Sequence, residues 1–245
     1  MRLGTAADDG GRAAVLLVHG WQADRSVWSG VVAELESSVR THAVDLRGSG
    51  DASATPGPYN LERYAADLRE LIESLQLGPV IVVGHSMGAT VALRLAVDAP
   101  EVVGGLVLIA PIPAGGAGFS PKGEAYLRAT AGDSVEARAW LARTLSDGCD
   151  PVLLERLCAA AAKTPRSVAL ESFESWAHAD FAEKTKAIVA PTLVVAPEND
   201  QPEASKVRVA ALITGARHVV LPGASHYAIV EQPAAVAHLI GSFPT

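Results

Sequence analysis

Val80-Ile81-Val82-Val83-Gly84-His85-Ser86-Met87-Gly88 is the most informative stretch of the chain. Its first four residues are continuously apolar, as in a strand buried on both faces. From Met87 to Val97 the pattern is helical, and Pro100 ends it. Between the two lies G-x-S-x-G, from Gly84 to Gly88. A serine so placed sits on a sharp turn with a strained backbone, and the glycines are small because side chains would collide across it. The helix that starts at Met87 points free N–H groups toward negative charge developing beside the serine. Five such residues alone are a weak signal; the strand before and the helix after give them mechanical meaning.

The same alternation runs in both directions. Ala13 to Val18 is an apolar run stopped by His19-Gly20, and Ala43-Val44 before Asp45 reads as a shorter strand. Val102 to Ala110 contains another, and Thr192–Ala196 and His218–Leu221 complete the set. Leu61, Tyr64, Ala65, Leu68, Leu71, Ile72 and Leu75 share one helical face, with Asn60 as N-cap and Gly78 closing the far end. Ala204–Leu212 and Pro233–Ile240 read as further helices. Strand and helix in alternation predict an α/β fold: a mostly parallel, doubly wound sheet with helices on both faces. The pattern breaks from about Pro111 to Lys186, where helical stretches replace strands and half of the chain's aromatics gather. The expected organisation is therefore a core of residues 1–110 and 187–245, with a helical cap, 111–186, inserted over the sheet.

Composition narrows the function classes. The chain has 245 residues, 49% hydrophobic and 19% charged, which excludes disordered and fibrous classes. With 20 Lys+Arg against 27 Asp+Glu and no basic run, neither nucleic acid nor an anionic membrane is an expected partner. The N-terminus has two acids and no apolar core of a signal peptide, and the longest apolar stretch is too short to span a bilayer. A soluble cytoplasmic protein, monomer or homodimer, is expected. Cys149 and Cys158 suit neither a disulfide framework nor a metal site. No H-E-x-x-H, Walker loop or dinucleotide fingerprint is present, so no metal or organic cofactor is expected.

A serine hydroxyl is a poor nucleophile without a base. His226, in Pro222-Gly223-Ala224-Ser225-His226-Tyr227 after the last strand, lies where an imidazole can turn back over the sheet edge. A carboxylate must orient that ring. Asp200 in Ala196-Pro197-Glu198-Asn199-Asp200 is the candidate, with Glu198 its competitor. The oxyanion needs N–H donors: Met87, after the serine, and Trp21, beside Gly20 in the loop after the first strand. His42, His218 and His238 read as structural, and His85 as pointing away from the catalytic side. His19, Trp140, Trp176, His178 and Tyr227 are candidate pocket residues, while Trp140, Phe173 and Trp176 serve equally well as the insertion's own core.

These segments together resemble the α/β-hydrolase superfamily, in particular its capped branch of esterases, lactonases, haloperoxidase-like perhydrolases and carbon–carbon bond hydrolases. The resemblance rests on His19-Gly20-Trp21 with Trp28, Asp45-Leu46-Arg47-Gly48-Ser49-Gly50, the Gly84–Gly88 motif, the acid loop, and Gly223-Ala224-Ser225-His226 followed by Glu231-Gln232-Pro233. It implies a triad of Ser86, Asp200 and His226, and an oxyanion hole of the Trp21 and Met87 N–H groups. Four departures stand out: Ser86 where dehalogenases and epoxide hydrolases use aspartate, Ser49 where histidine is common, Pro197 where glycine is usual, and a short N-terminus. The last predicts a reduced sheet of six or seven strands. The implied activity is hydrolysis of a small to medium, largely apolar ester or lactone. The same triad would serve a carbon–carbon (diketone) hydrolase, a thioesterase or a perhydrolase; a non-catalytic ligand-binding protein is the reading from another class.

Overall fold

Six strands line up in one parallel sheet in a computed structural model that describes residues 13–35, 39–200 and 203–244. They are β1 (Val15–Val18), β2 (Thr41–Val44), β3 (Val80–His85), β4 (Val103–Ile109), β5 (Thr192–Pro197) and β6 (Arg217–Leu221). Their order is β2-β1-β3-β4-β5-β6, and each neighbouring pair is parallel. The count agrees with the reduced sheet expected from the sequence. Whether antiparallel strands precede β1 falls on residues 1–12, outside the described residues.

Alternation along each strand builds two apolar layers, because successive side chains point to opposite faces. Leu16, Val18, Val80, Val82, Leu106, Leu108 and Val194 face one side. There they meet α2 (Leu61–Ser74) and α3 (Met87–Asp98) through Leu68, Ile72, Val91 and Leu95, and α9 (Glu203–Leu212) through Val209. Val15, Leu17, Ile81, Val83, Val107, Leu193 and Val195 face the other. Their partners are α1 (Ser29–Leu35), α10 (Ala228–Glu231) and α11 (Pro233–Gly241), through Val31, Leu35, Ile229, Val236 and Ile240. Helices on both faces explain why the inner strands β1 and β3 read as unbroken apolar runs, whereas the edge strands β2 and β6 open on Thr41-His42 and Arg217-His218. The Asn60 side chain accepts from the Arg63 N–H, as its capping position predicted.

Between β4 and β5 the chain runs through α4 (Pro121–Thr130), α5 (Ser134–Arg143), α6 (Pro151–Lys163), α7 (Arg166–Ala177) and α8 (Ala182–Thr185). These helices do not close on a core of their own. Leu127, Ala169, Phe173 and Trp176 join the layer containing α2 and α3, whereas Leu141, Leu157 and Ala161 join the opposite one. The segment therefore straddles the sheet edge at the carboxyl ends of the strands. Strands β2 and β3 lie on opposite sides of β1, so the winding reverses beside β1, and a crevice forms at such a point.

Candidate active site

Ser86 stands between β3 and α3 with φ 54° and ψ −122°, a conformation that L residues rarely adopt. Crowding enforces it. A Cβ on Gly84 would lie 2.4 Å from the Gly88 carbonyl oxygen, and one on Gly88 would lie 2.4 Å from the Val18 carbonyl oxygen. These clashes are with backbone, so no rotamer change relieves them. Gly20 brings the loop after β1 close as well: a Cβ there would lie 3.2 Å from the Ser86 Cβ, tighter than ordinary packing. Trp21, the next residue, is thereby held beside the serine, and Met87 opens α3 on its other side.

The structure brings Ser86, His226 and Asp200 into one line. His226 Nε2 lies 3.1 Å from Ser86 Oγ, and His226 Nδ1 lies 3.1 Å from Asp200 Oδ2. His226 occupies the turn after β6, where Gly223 has φ +68°. The turn is tied from several sides. Asn199 N–H donates to Ala224 O at 2.9 Å, and the Glu231 carboxylate accepts from Ser225 N–H at 2.9 Å. Glu198, the competitor for the acid, instead accepts from Gly223 N–H at 2.8 Å and so braces the histidine turn against the acid loop.

Asp200 has a second ion pair. Lys206 Nζ, from α9, lies 2.9 Å from the same Oδ2 and donates to the Asp200 carbonyl at 2.8 Å. Burial works against the charge of Asp200, but the charges and contacts of His226 and Lys206 outweigh it and hold the carboxyl well below the usual range. Sequence reading missed Lys206, because a single lysine in a helix carries no motif.

His85 does not point away from the catalytic side, as its place in the elbow suggested. Its ring centroid is 5.0 Å from that of His226, and its Nε2–H donates to the His226 carbonyl at 2.8 Å. The acceptor fixes the tautomer, since a carbonyl only accepts. Burial above all, and then the neighbouring His226, push the His85 imidazole down to about 3, so it is neutral across the physiological range.

A cavity of about 330 Å³ opens at Ser86 and His226. Trp21, Ile112, Phe119, Leu127, Trp140 and Trp176 supply its apolar walls. Three other pocket candidates do not line it. His19 is fully buried, accepts from Leu46 N–H at 3.0 Å and donates to Gly20 O at 2.8 Å, which makes it a brace for its own loop. His178 is half exposed and pairs with Glu124 at 3.0 Å on the outer surface. Tyr227 is buried against the rings of His85 and His226. Phe173 is wholly buried beneath Trp21 and Trp176 and so belongs to the packing. Among the described residues no cluster of His, Cys, Asp and Glu is arranged to hold a metal ion, and no helix is long and apolar enough to cross a membrane.

Comparison with known proteins bears on the family and the fold. The model of the "Alpha/beta hydrolase family" matches residues 15–239. The pimeloyl-[acyl-carrier protein] methyl ester esterase of Nitrosomonas europaea is 40% identical over 99 residues, 40% of this chain and 37% of that protein. The chain thus spans roughly a third of the length of curated relatives such as this one. Among solved structures, a thermophilic esterase from Thermogutta terrifontis superposes with a TM-score of 0.83 at 27% identity, covering 98% of this chain and 90% of that one. The enol-lactonase from Burkholderia xenovorans LB400 superposes with a TM-score of 0.87 at 24% identity, covering 99% and 95%, and shares the fold.

Proposed function

The chain belongs to the alpha/beta hydrolase family, and on that premise we propose that it is a serine hydrolase cleaving carboxylic esters or lactones through an acyl-enzyme. The observation that carries the reading is the 3.1 Å approach of His226 Nε2 to Ser86 Oγ at a strained elbow. Ser86 Oγ attacks the substrate carbonyl carbon while its proton passes to His226 Nε2. Asp200 orients the ring through Nδ1 and stabilises the imidazolium that forms. The N–H groups of Trp21 and Met87 receive the oxyanion, each contributing about 3 kcal/mol to the transition state. His226 then protonates the leaving alkoxide, takes a proton from a water that attacks the acyl carbon, and returns that proton to Ser86 Oγ as the acyl–Oγ bond breaks and the acid leaves.

The helices between β4 and β5 act in this reading as a cap that selects the substrate. Trp140 and Trp176 come from that segment and Trp21 from the loop after β1, so the cavity is walled jointly by cap and core. Its volume lies at the small end of the range for ligand sites and its walls are aromatic, which favours an acyl or alcohol part of medium size and apolar character. The pairing of Lys206 with Asp200 cancels the charge at the cavity floor and leaves little attraction for a highly charged substrate. The test is a series of p-nitrophenyl esters of increasing chain length, run with the wild type and Ser86→Ala. The expected result is an optimum beyond acetate that disappears with the Ser86 hydroxyl, by roughly 10³-fold or more. Full turnover by Ser86→Ala contradicts the mechanism, and an optimum at acetate contradicts the substrate class.

A further inference from the structure

The serine-hydrolase reading gives a chemical step to three polar groups at the site and none to a fourth, the ammonium of Lys206. This lysine is 4% exposed, although a buried lysine is rare unless it is paired. Its Nζ grips one residue twice, by the Asp200 carboxylate at 2.9 Å and by the Asp200 main-chain carbonyl at 2.8 Å. The loop it grips leaves β5 directly after Pro197, the last residue of that strand. The carboxylate oxygen it contacts, Oδ2, is also the one facing His226 Nδ1.

Resting on that reading, we propose that Lys206 is a positioning residue that clamps the acid loop and, through the shared carboxylate oxygen, sets the lower pH limit at which His226 works as a base. Both cationic partners contact the same Oδ2, Lys206 Nζ at 2.9 Å and His226 Nδ1 at 3.1 Å, so neither has the oxygen to itself. An unshared carboxylate would stabilise the imidazolium fully; one already paired with an ammonium stabilises it less. The ammonium and the imidazole lie within about 6 Å of each other, since both touch one atom. At that separation the repulsion between two positive charges corresponds to about 0.5 pH units in water and about 2 at an effective dielectric constant near 20. Removing the charge that α9 places beside Oδ2 is therefore expected to move the acid limb of the reaction upward in pH.

The other groups around His226 do not substitute for it. His85, beneath the ring, is neutral because burial disfavours its charge. Tyr227 packs edge-on at 5.5 Å. Glu231 on α10 accepts from the main chain of Ser225 and Ser146, and Glu198 from that of Gly223. Lys206 is the permanent cation among these named neighbours.

The test needs no knowledge of the natural substrate. The rate at which a fluorophosphonate labels the protein is measured from pH 5 to 9 for the wild type, Lys206→Met and Lys206→Arg. The acid limb of the Lys206→Met profile is expected to move up by about 0.5–2 units. Its labelling is then about 3- to 100-fold slower on the acid side and approaches the wild-type rate near pH 9. Lys206→Arg, which keeps the charge, should leave the limb in place. Should Lys206→Met fail to fold, Lys206→Gln carries the same expectation. A neutral variant whose profile superimposes on the wild type, or falls by one factor at every pH, overturns the proposal while the serine-hydrolase reading stands. A wild type that never labels overturns both.

Discussion

Gly88→Ala puts the elbow under a load whose size follows from the structure. The added Cβ would sit 2.4 Å from the Val18 carbonyl oxygen and 2.5 Å from that of His19. Both belong to the backbone at and just beyond the end of β1, a strand paired on both sides by β2 and β3, and cannot swing away. Relief requires α3 to retreat from β1 by about 1 Å to restore ordinary contact. Overpacking of this kind costs up to about 3 kcal/mol, and replacing glycine by alanine within a helix returns about 1 kcal/mol. The net loss of about 2 kcal/mol lowers Tm by about 4–8 °C for a chain of this size. The retreat also carries Ser86 and Met87 away from Gly20 and His226, and a misplacement of 1 Å at reacting atoms costs about 100-fold in rate. Calorimetry and esterase assays on the same preparation read both effects. Gly104→Ala is the control, because its Cβ would meet nothing closer than 3.5 Å, and Tm and rate should stay near wild type. If Gly88→Ala melts within 1 °C of the wild type and works within about twofold of its rate, the steric argument for the elbow is refuted.

Further outcomes are expected from the same geometry. Asp200→Asn leaves the ring of His226 without its carboxylate and Lys206 without its counter-charge, so kcat should fall by about 10⁴-fold in steady-state assays. Trp140→Ala opens the cavity wall, and the chain-length optimum in an ester series should move to longer acyl groups; an unmoved optimum would show that Trp140 does not limit the cavity. His85 is neutral in the fold and titrates at its ordinary value once unfolded, so the unfolded state binds the extra proton below about pH 6.5. Stability contributed by the neutral ring is therefore complete above that pH and is lost as pH falls toward 3. Denaturant titrations of His85→Gln should show a shallower loss over this window than the wild type, by about 1 kcal/mol per pH unit.

Those features of the fold and site that depend on local order along the chain could be read from the sequence. A buried strand running into Gly84-His85-Ser86-Met87-Gly88 placed the elbow, and the order of the later loops placed Asp200 and His226. The inner strands β1 and β3 were legible because burial on both faces makes them continuous apolar runs. What escaped depends on which side chains meet in space. His85 was assigned outward from the elbow, yet it reaches the His226 carbonyl, because the turn after β6 descends onto it. His19, His178 and Tyr227 are polar or aromatic residues near the motifs, but each is absorbed by a partner elsewhere. The pocket aromatics Trp140 and Trp176 and the buried packing residue Phe173 share one pattern in sequence and all pack against Trp21; only their place relative to the cavity separates wall from core. Lys206 could not be singled out at all: its significance lies in two contacts to Asp200, six residues away across a helix start.

The claim on which the mechanism rests is that the Ser86 hydroxyl is activated by His226. Mass-spectrometric mapping of a fluorophosphonate adduct tests it directly. A single adduct is expected on the peptide carrying Ser86, formed rapidly by the wild type and slowed by several orders of magnitude in His226→Ala. An adduct on another side chain, or one that forms as fast without the imidazole, would contradict it.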